Sequence, residues 1–454
     1  MEKLHILDKI VPDYTNKFLR GEFKLEEMPL LAALGKKVQE VITSHTTDQV
    51  YIIACQHLLE PQVTMFRLFI ELGIDPTHIS ILPKIYSVNK TIASELIELG
   101  CHVFESALLF HSSQRFDEFH QTQCETVVDY ALTTIPKIAK VIILDDGGGL
   151  IRAFAQHKNI AKYFQGGIYA VEQTASGKNI LLGIDLPFIV TNVAGSIEKI
   201  QIETSYIIRH TAKRILEYFV LHAINSSVKI LVLGKGPIGK TMVEALITAG
   251  YYCESYDILD TKPRPLLTDY DVIVGATGAN SIALEDLKNL KPGCHLISIS
   301  SSDREFPSQY LRSHAISGKG VHDTYVCEMN NIHLANGGFP ISFKGERIEC
   351  YPLEIDVTMM KLAEGVLSHA IGKTNISVSL NSIHVDLIHH KLVVPTVTAW
   401  SVILIGLCIL KLATFGFWSV IPIGYQNAYI VYFFAIMVPW IYFIERCRKL
   451  EQMR

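Results

Sequence analysis

The chain has 454 residues, a formal net charge of −4 and nine cysteines. That length exceeds one ordinary hydrophobic core, so two or more domains are expected, and the charge carries no nucleic-acid footprint. The cysteines form no C-x-x-C pair, which argues against a zinc site and a disulfide framework, and no metal is expected.

The first residues, "MEKLHILDKIVPDY", contain no apolar stretch of the kind found in a cleavable signal. "EMPLLAALGKKVQEVI" is amphipathic at helical spacing, and "QVYIIACQHL" reads as a buried strand. "PQVTMFRLFIELG" predicts a helix closed by Gly73, and "HISILPKIYS" predicts a strand and loop. "KTIASELIELG" predicts a helix closed by Gly100. "KVIILDDGGG" is a strand running into a glycine turn. Strands alternating with helices imply a parallel sheet covered on both faces. A second α/β unit is expected to open with a long helix around Ser205 to Asn225 and to run on through "CHLISIS" and "IHLANGG".

Inside that second unit, "KILVLGKGPIGKTMVEAL" fits two phosphate-binding patterns. As G-x-G-x-x-G it is a dinucleotide fingerprint on Gly234, Gly236 and Gly239. As G-x-x-x-x-G-K-T it is a P-loop ending in Lys240 and Thr241. The downstream residues favour the dinucleotide. "YYCESYD" ends in Asp257, at the interval where an acid accepts the ribose hydroxyls. The later apolar strands, "DVIVGATG" and "CHLISIS", end in no carboxylate that would hold magnesium. Pro237 also removes an N–H from a loop that a P-loop enzyme uses to bind phosphate. NAD is therefore the expected cofactor.

The expected architecture is α/β, with two doubly wound parallel-sheet domains. A substrate-binding-type domain occupies 1–210 and is completed by about 345–390. A Rossmann NAD-binding domain occupies 211–344. The cleft between them would take a small molecule. The last segment, 391–454, holds two apolar runs, Leu392 to Ala413 and Ile423 to Ile444, each long enough to span a bilayer. Their outer flanks carry Lys391 on one side and Arg446, Arg448, Lys449 and Arg454 on the other. This predicts a membrane hairpin with both ends, and the α/β domains, facing the cytoplasm. His389 and His390 precede it without a third ligand nearby.

Several stretches together resemble the S-adenosylhomocysteine hydrolase family, over about residues 20 to 375. "EEMPLLAAL" is similar to that family's E-M-P-G-L. "ACQHLLEPQVTMFRLFIELG" places His57 on its substrate-binding histidine. "ILDDGGGL" resembles I-L-D-D-G-G-D-L and places Asp146 on a catalytic carboxylate. "VEQTASG" resembles E-E-T-T-T-G, which contacts adenosine and the nicotinamide end, and so implicates Thr174 and Ser176. "LGKGPIGK" and "GATGANSI" stand where the family has G-Y-G-x-V-G-K and T-T-G-x-x-x-I, adding Thr277 and Gly278 to the cofactor set. In that family bound NAD oxidises a ribose 3′-hydroxyl, so that a base can take the neighbouring C4′ proton and homocysteine can leave.

The acid–base residues depart from the family pattern. Where it has T-K-S-K-F-D-N, this chain has "VAGSIEKI": Gly195 replaces the lysine, Lys199 the aspartate and Ile200 the asparagine. Gln173 replaces a glutamate, Ser301 a histidine, and "ISFKGERIECYP" lacks a further histidine. The basic tail that covers a partner's NAD in the family gives way to the apolar hairpin. The expectation is a membrane-anchored, NAD-binding homologue with altered or lost catalytic residues, His57, Asp146 and Lys199 being the candidates that remain. Three alternatives stay open. They are an active adenosylhomocysteinase, an NAD-linked oxidation of another nucleoside-like substrate, and a scaffold in which NAD is structural. A homo-oligomer is compatible with the sequence.

Overall fold

The computed structural model describes residues 25–42, 47–347 and 352–373, with Ile376 and Val378. The chain runs through α1 (Pro29–Gln39), β1 (Val50–Leu58), α2 (Glu60–Glu71), β2 (Ile79–Val88), α3 (Lys90–Glu98) and β3 (His102–Val103). It continues through α4 (Phe116–Thr134), β4 (Lys140–Asp145), α5 (Gly149–Gln156), α6 (Ile160–Tyr163), β5 (Ile168–Glu172), α7 (Ala175–Leu181) and β6 (Ile189–Asn192). These strands form one sheet, ordered β3-β2-β1-β4-β5-β6, with every pair parallel. Ile52 and Ala54 of β1 face one apolar core, and Ile53 and Cys55 face the other. Burial on both faces is why β1 reads as an unbroken apolar run rather than an alternating one.

The strand order reverses direction between β1 and β4. Helices leaving the two strands diverge there, which opens a crevice beyond their carboxyl ends. His57 lies near the end of β1, and Asp146 directly follows β4.

Helix α8 (Ile197–Leu221) carries the chain into the second sheet. It starts earlier than the expected Ser205, because the polar and β-branched opening "IEKIQIET" shows no clear apolar stripe. Lys199 therefore belongs to its first turn. Then come β7 (Lys229–Leu233), α9 (Pro237–Thr248), β8 (Tyr252–Tyr256), β9 (Val272–Gly275), β10 (His295–Ser298), α10 (Ser308–Ser313), β11 (Ala315–Ser317), β12 (Tyr325–Cys327) and β13 (Ile332–Leu334). The sheet order is β11-β12-β13-β10-β9-β7-β8. It is mixed, not wholly parallel as expected, because β12 runs antiparallel to β11 and β13. Only residues 328–331 separate β12 from β13, too few for the crossover of a dozen or more that parallel pairing requires. This sheet also has a switch point, between β7 and β9.

Helix α11 (Pro352–Ile371) returns to the first sheet, where Leu362, Ala363 and Val366 join its core. Its Asp356 is fully buried and accepts the N–H groups of Leu30 (2.9 Å) and Leu31 (3.0 Å). Helix α1 has no cap of its own, since Met28 precedes it, so a residue more than 300 positions away satisfies its first turn. Burial pushes the Asp356 carboxyl up to about 7, against the pull of those two amides. Both sheets belong to one compact unit, Met1–Val385. The expected hairpin at 391–454 lies outside the described residues. Among the described residues no helix is long and apolar enough to cross a membrane.

Replacing Asp356 with Ala should destabilise the protein by about 1–3 kcal/mol, the cost of leaving buried donors unmade. Denaturant unfolding of the variant measures it, and Asp356→Asn, which keeps an acceptor, should lose less.

Candidate functional site

At the first switch point two side chains, Lys84 and His57, converge on Asp146. Its Oδ1 accepts from Lys84 Nζ in a short contact, and its Oδ2 lies 3.2 Å from His57 Nε2. The other ring nitrogen of His57 bonds the Ser87 hydroxyl. Lys84 and Asp146 side chains are each only 5% exposed, so the ion pair is essentially dry. Burial opposes both charges. For Lys84, Asp146 together with Tyr86 and Cys55 outweighs burial, and the ammonium is held well above its ordinary range. Lys84 and then His57 hold Asp146 far below the usual carboxylate range. Phe343 stacks on His57 at 4.7 Å between ring centroids, and Tyr86 packs against Phe116, Phe339 and Phe343.

Beside this group lies a second, mostly neutral one. Gln56 Nε2 donates to Gln173 Oε1 (3.0 Å), and Lys199 Nζ donates to the Gln173 carbonyl (2.6 Å). The buried amine of Lys199 thus reaches the end of β5, and the Gln56–Gln173 link connects it to the strand that carries His57. Thr174 is the N-cap of α7: its Oγ1 accepts from Gly177 N (2.9 Å) and donates to Glu172 Oε1 (2.8 Å). Ser176 follows in the first turn of α7 and is half-buried. Glu172 Oε1 also accepts from Gly147 N (3.2 Å) and Thr174 N (2.7 Å). Gly177 packs so close that an added Cβ would stand 2.1 Å from Glu172 Oε1.

At the second switch point the three glycines stand in three different surroundings. Gly234 has φ +105, and a Cβ there would sit 2.6 Å from Ala276 O. Gly239, in the first turn of α9, would bring a Cβ within 2.1 Å of Gly234 O. Gly236 meets nothing within 4 Å, which leaves open space beside the N-terminus of α9. A tight turn, a close helix–strand approach and an unobstructed middle position are what a pyrophosphate-binding loop requires. Asp257 follows β8 and turns back on this loop, accepting from Lys235 N (2.7 Å) and Leu259 N (3.1 Å). Those amides hold its carboxyl below the ordinary range. Thr277 and Gly278 form the turn after β9. Both of their N–H groups donate to Glu305 Oε1 (2.7 and 2.6 Å), and Thr277 Oγ1 donates to its Oε2 (2.8 Å).

The eleven candidate residues thus fall at two sheet edges. His57, Asp146, Lys199, Thr174 and Ser176 belong to the first; Gly234, Gly236, Gly239, Asp257, Thr277 and Gly278 belong to the second. Sequence reading missed Lys84, Ser87, Glu172 and Glu305. A signal for Lys84 existed: a lysine inside the apolar run "ISILPKIYSV" needs a buried partner. Gly195 offers no side chain to either site, and Ser301 is exposed. Among the described residues no group of His, Cys, Asp and Glu suits a metal ion.

These features define an α/β protein with one parallel and one mixed sheet, each with a switch point in its strand order. No family model matches the chain. Two uncharacterised proteins of Mycobacterium tuberculosis, from strains CDC 1551 and H37Rv, are each 30% identical over 334 residues, which is 72% of this chain. The chain spans 65% of the length of those relatives. Among solved structures, a dipicolinate synthase chain of Bacillus halodurans is 10% identical, with a TM-score of 0.38, over 72% of this chain and 99% of its own. NAD+-bound 3-phosphoglycerate dehydrogenase of Entamoeba histolytica is 11% identical, with a TM-score of 0.33, over 73% and 99%. At such scores these likenesses carry no argument about ligand or activity.

Lys84→Met and Asp146→Asn should each destabilise strongly, by about 3–5 kcal/mol for Lys84→Met, because each strands a buried partner. The double variant should cost clearly less than the sum, and unfolding of all four proteins in one double-mutant cycle gives the coupling.

Proposed function

We propose that the second sheet binds NAD, and that the first carries a site for a small nucleoside-like molecule, of the S-adenosylhomocysteine hydrolase type with its acid–base set replaced. The steric pattern of Gly234, Gly236 and Gly239, with Asp257 folded back on the same loop, carries the cofactor half of this reading. Asp257 would accept the adenosine ribose hydroxyls and repel a 2′-phosphate, which favours NAD over NADP. When bound, the nicotinamide would supply a hydride acceptor. The chain's own part is to hold the pyrophosphate on the amides at the start of α9 and to present the ring side to the cleft. On this reading the protein divides at about residue 210, and the C-terminal hairpin anchors it with the α/β domains on the cytoplasmic side.

The hydrolase reaction needs proton removal at two neighbouring carbons, each by a base in hydrogen-bond reach. At the corresponding positions stand Gly195, Gln173, Ile200 and Ser301, none of them a base near neutral pH. We therefore infer an altered or lost hydrolase activity. A second reading, an active hydrolase with a relocated lysine, is favoured by one contact: Lys199 Nζ lies on the carbonyl of Gln173, inside the first site.

Calorimetry should show NAD binding to the full-length protein, weakened by about 1–3 kcal/mol in Asp257→Ala. ATP binding lost in Lys240→Ala would instead support the P-loop pattern. A thiol-release assay on NAD-loaded protein should give little or no homocysteine. Turnover of about one per second or faster, abolished by Lys199→Ala, would establish the second reading. Carbonate washing of membranes from expressing cells should leave the full chain in the pellet.

A further inference from the structure

We propose that Asp145 and Glu172 share one proton across the ends of β4 and β5, and that this proton positions the two loops carrying Asp146 and Gln173. The two residues are in-register partners on adjacent parallel strands, so their side chains leave the sheet on the same face. Both are fully buried. Asp145 Oδ2 accepts from Ile151 N (2.8 Å), and Glu172 Oε1 accepts from Gly147 and Thr174. That leaves one oxygen on each, Asp145 Oδ1 and Glu172 Oε2, buried and without a partner among the described residues. Neighbouring buried acceptors of this kind are not stable as two anions. A single proton removes one charge and turns one oxygen into a donor, which can satisfy both.

Among the described residues the surroundings supply no competing cation. Lys84, on β2, is taken by Asp146, and Asp146 itself adds negative charge beside the pair. Cys55 on β1 and Cys124 on α4 face Asp145, and burial pushes both thiols well up, so neither contributes a charge. His120, between those sulfurs, is pushed down to about 4 by burial and stays neutral. Arg152 of α5 bonds Gln121, and Lys199 of α8 donates to the Gln173 carbonyl. Burial raises Asp145. Burial, and then the charge of Asp145, push Glu172 up to about 8.

The pair acts on the site through the backbone. Glu172 Oε1 grips Gly147, the residue after Asp146, and Thr174, the residue after Gln173. The two loops also touch directly: a Cβ on Gly148 would stand 2.8 Å from Gly177 O. Loss of the shared proton places a second negative charge in this contact and drives the two strand ends apart. Asp145 and Glu172 are thus positioning residues, and the inference stands whether or not NAD binds.

Infrared difference spectroscopy on the full-length protein tests it. A protonated buried carboxyl component that titrates near about 8 is expected at neutral pH over any contribution from Asp356, and it should be lost in Glu172→Gln. Because the folded value lies above the unfolded one, the stabilisation is complete below about pH 4.5 and lost as pH rises through about 8. Glu172→Gln keeps the hydrogen bonding of the protonated acid at every pH. Its melting temperature should therefore climb relative to wild type between about pH 5 and about pH 9, while Glu172→Ala is destabilised throughout. The proposal fails if wild type shows no such band, or if Glu172→Gln tracks wild type across that range. Asp145→Asn gives the same reading if Glu172→Gln does not fold, and if neither folds the wild-type titration decides by comparison with that of Asp356→Asn, which removes the other raised carboxyl.

Discussion

Each sheet ends in a buried glutamate that gathers the loops beyond it. Glu172 does this for the first sheet, holding Gly147 and Thr174, and Glu305 does it for the second, holding Thr277, Gly278 and the Ser300 hydroxyl. The constraint is general. Parallel strands finish with N–H groups that have no ladder partner, and a loop folded over the sheet edge buries them away from water. A carboxylate is the densest acceptor available, since one side chain takes several donors at once. Without these two residues the loops that present Asp146, Gln173, Thr277 and Gly278 would lack a defined backbone.

The two edges treat charge differently. At the second, the glutamate is surrounded by donors and the glycine loop leaves open space, an arrangement suited to receiving an anion on helix amides. At the first, the donors are already spent inside the protein. Lys84 and His57 are committed to Asp146, Lys199 to Gln173, and Gln173 to Gln56. Aromatic rings from the segment between β13 and α11 close over His57 and Tyr86. Such a site is preorganised by its own ion pair, and a ligand entering it must displace or accommodate Phe343. That fits poorly with proton transfer by free bases.

Much of the fold was legible because local chemistry announced it. Apolar runs buried on both faces marked β1 and β4, and glycines closed α2 and α3 at Gly73 and Gly100, both with positive φ. The antiparallel edge of the second sheet was missed because β11, β12 and β13 are each three residues long, too short to show a period. The start of α8 was misplaced because its first turns carry no clean apolar stripe.

What the sequence determined by itself is the set of features written into short stretches. These are the fingerprint glycines, the acid one strand later, the strand–helix alternation and the apolar C-terminal runs. Each depends only on neighbours a few residues apart. Tertiary structure alone decided which distant groups meet. Lys84 finds Asp146 across 62 residues, because β1 separates β2 from β4 and brings both strand ends to one crevice. Asp356 caps α1 only because α11 returns to the first sheet. Asp145 and Glu172 become a pair only once β4 and β5 are in register. Charge, protonation and accessibility follow from those meetings, since burial and the nearest opposite charge set them.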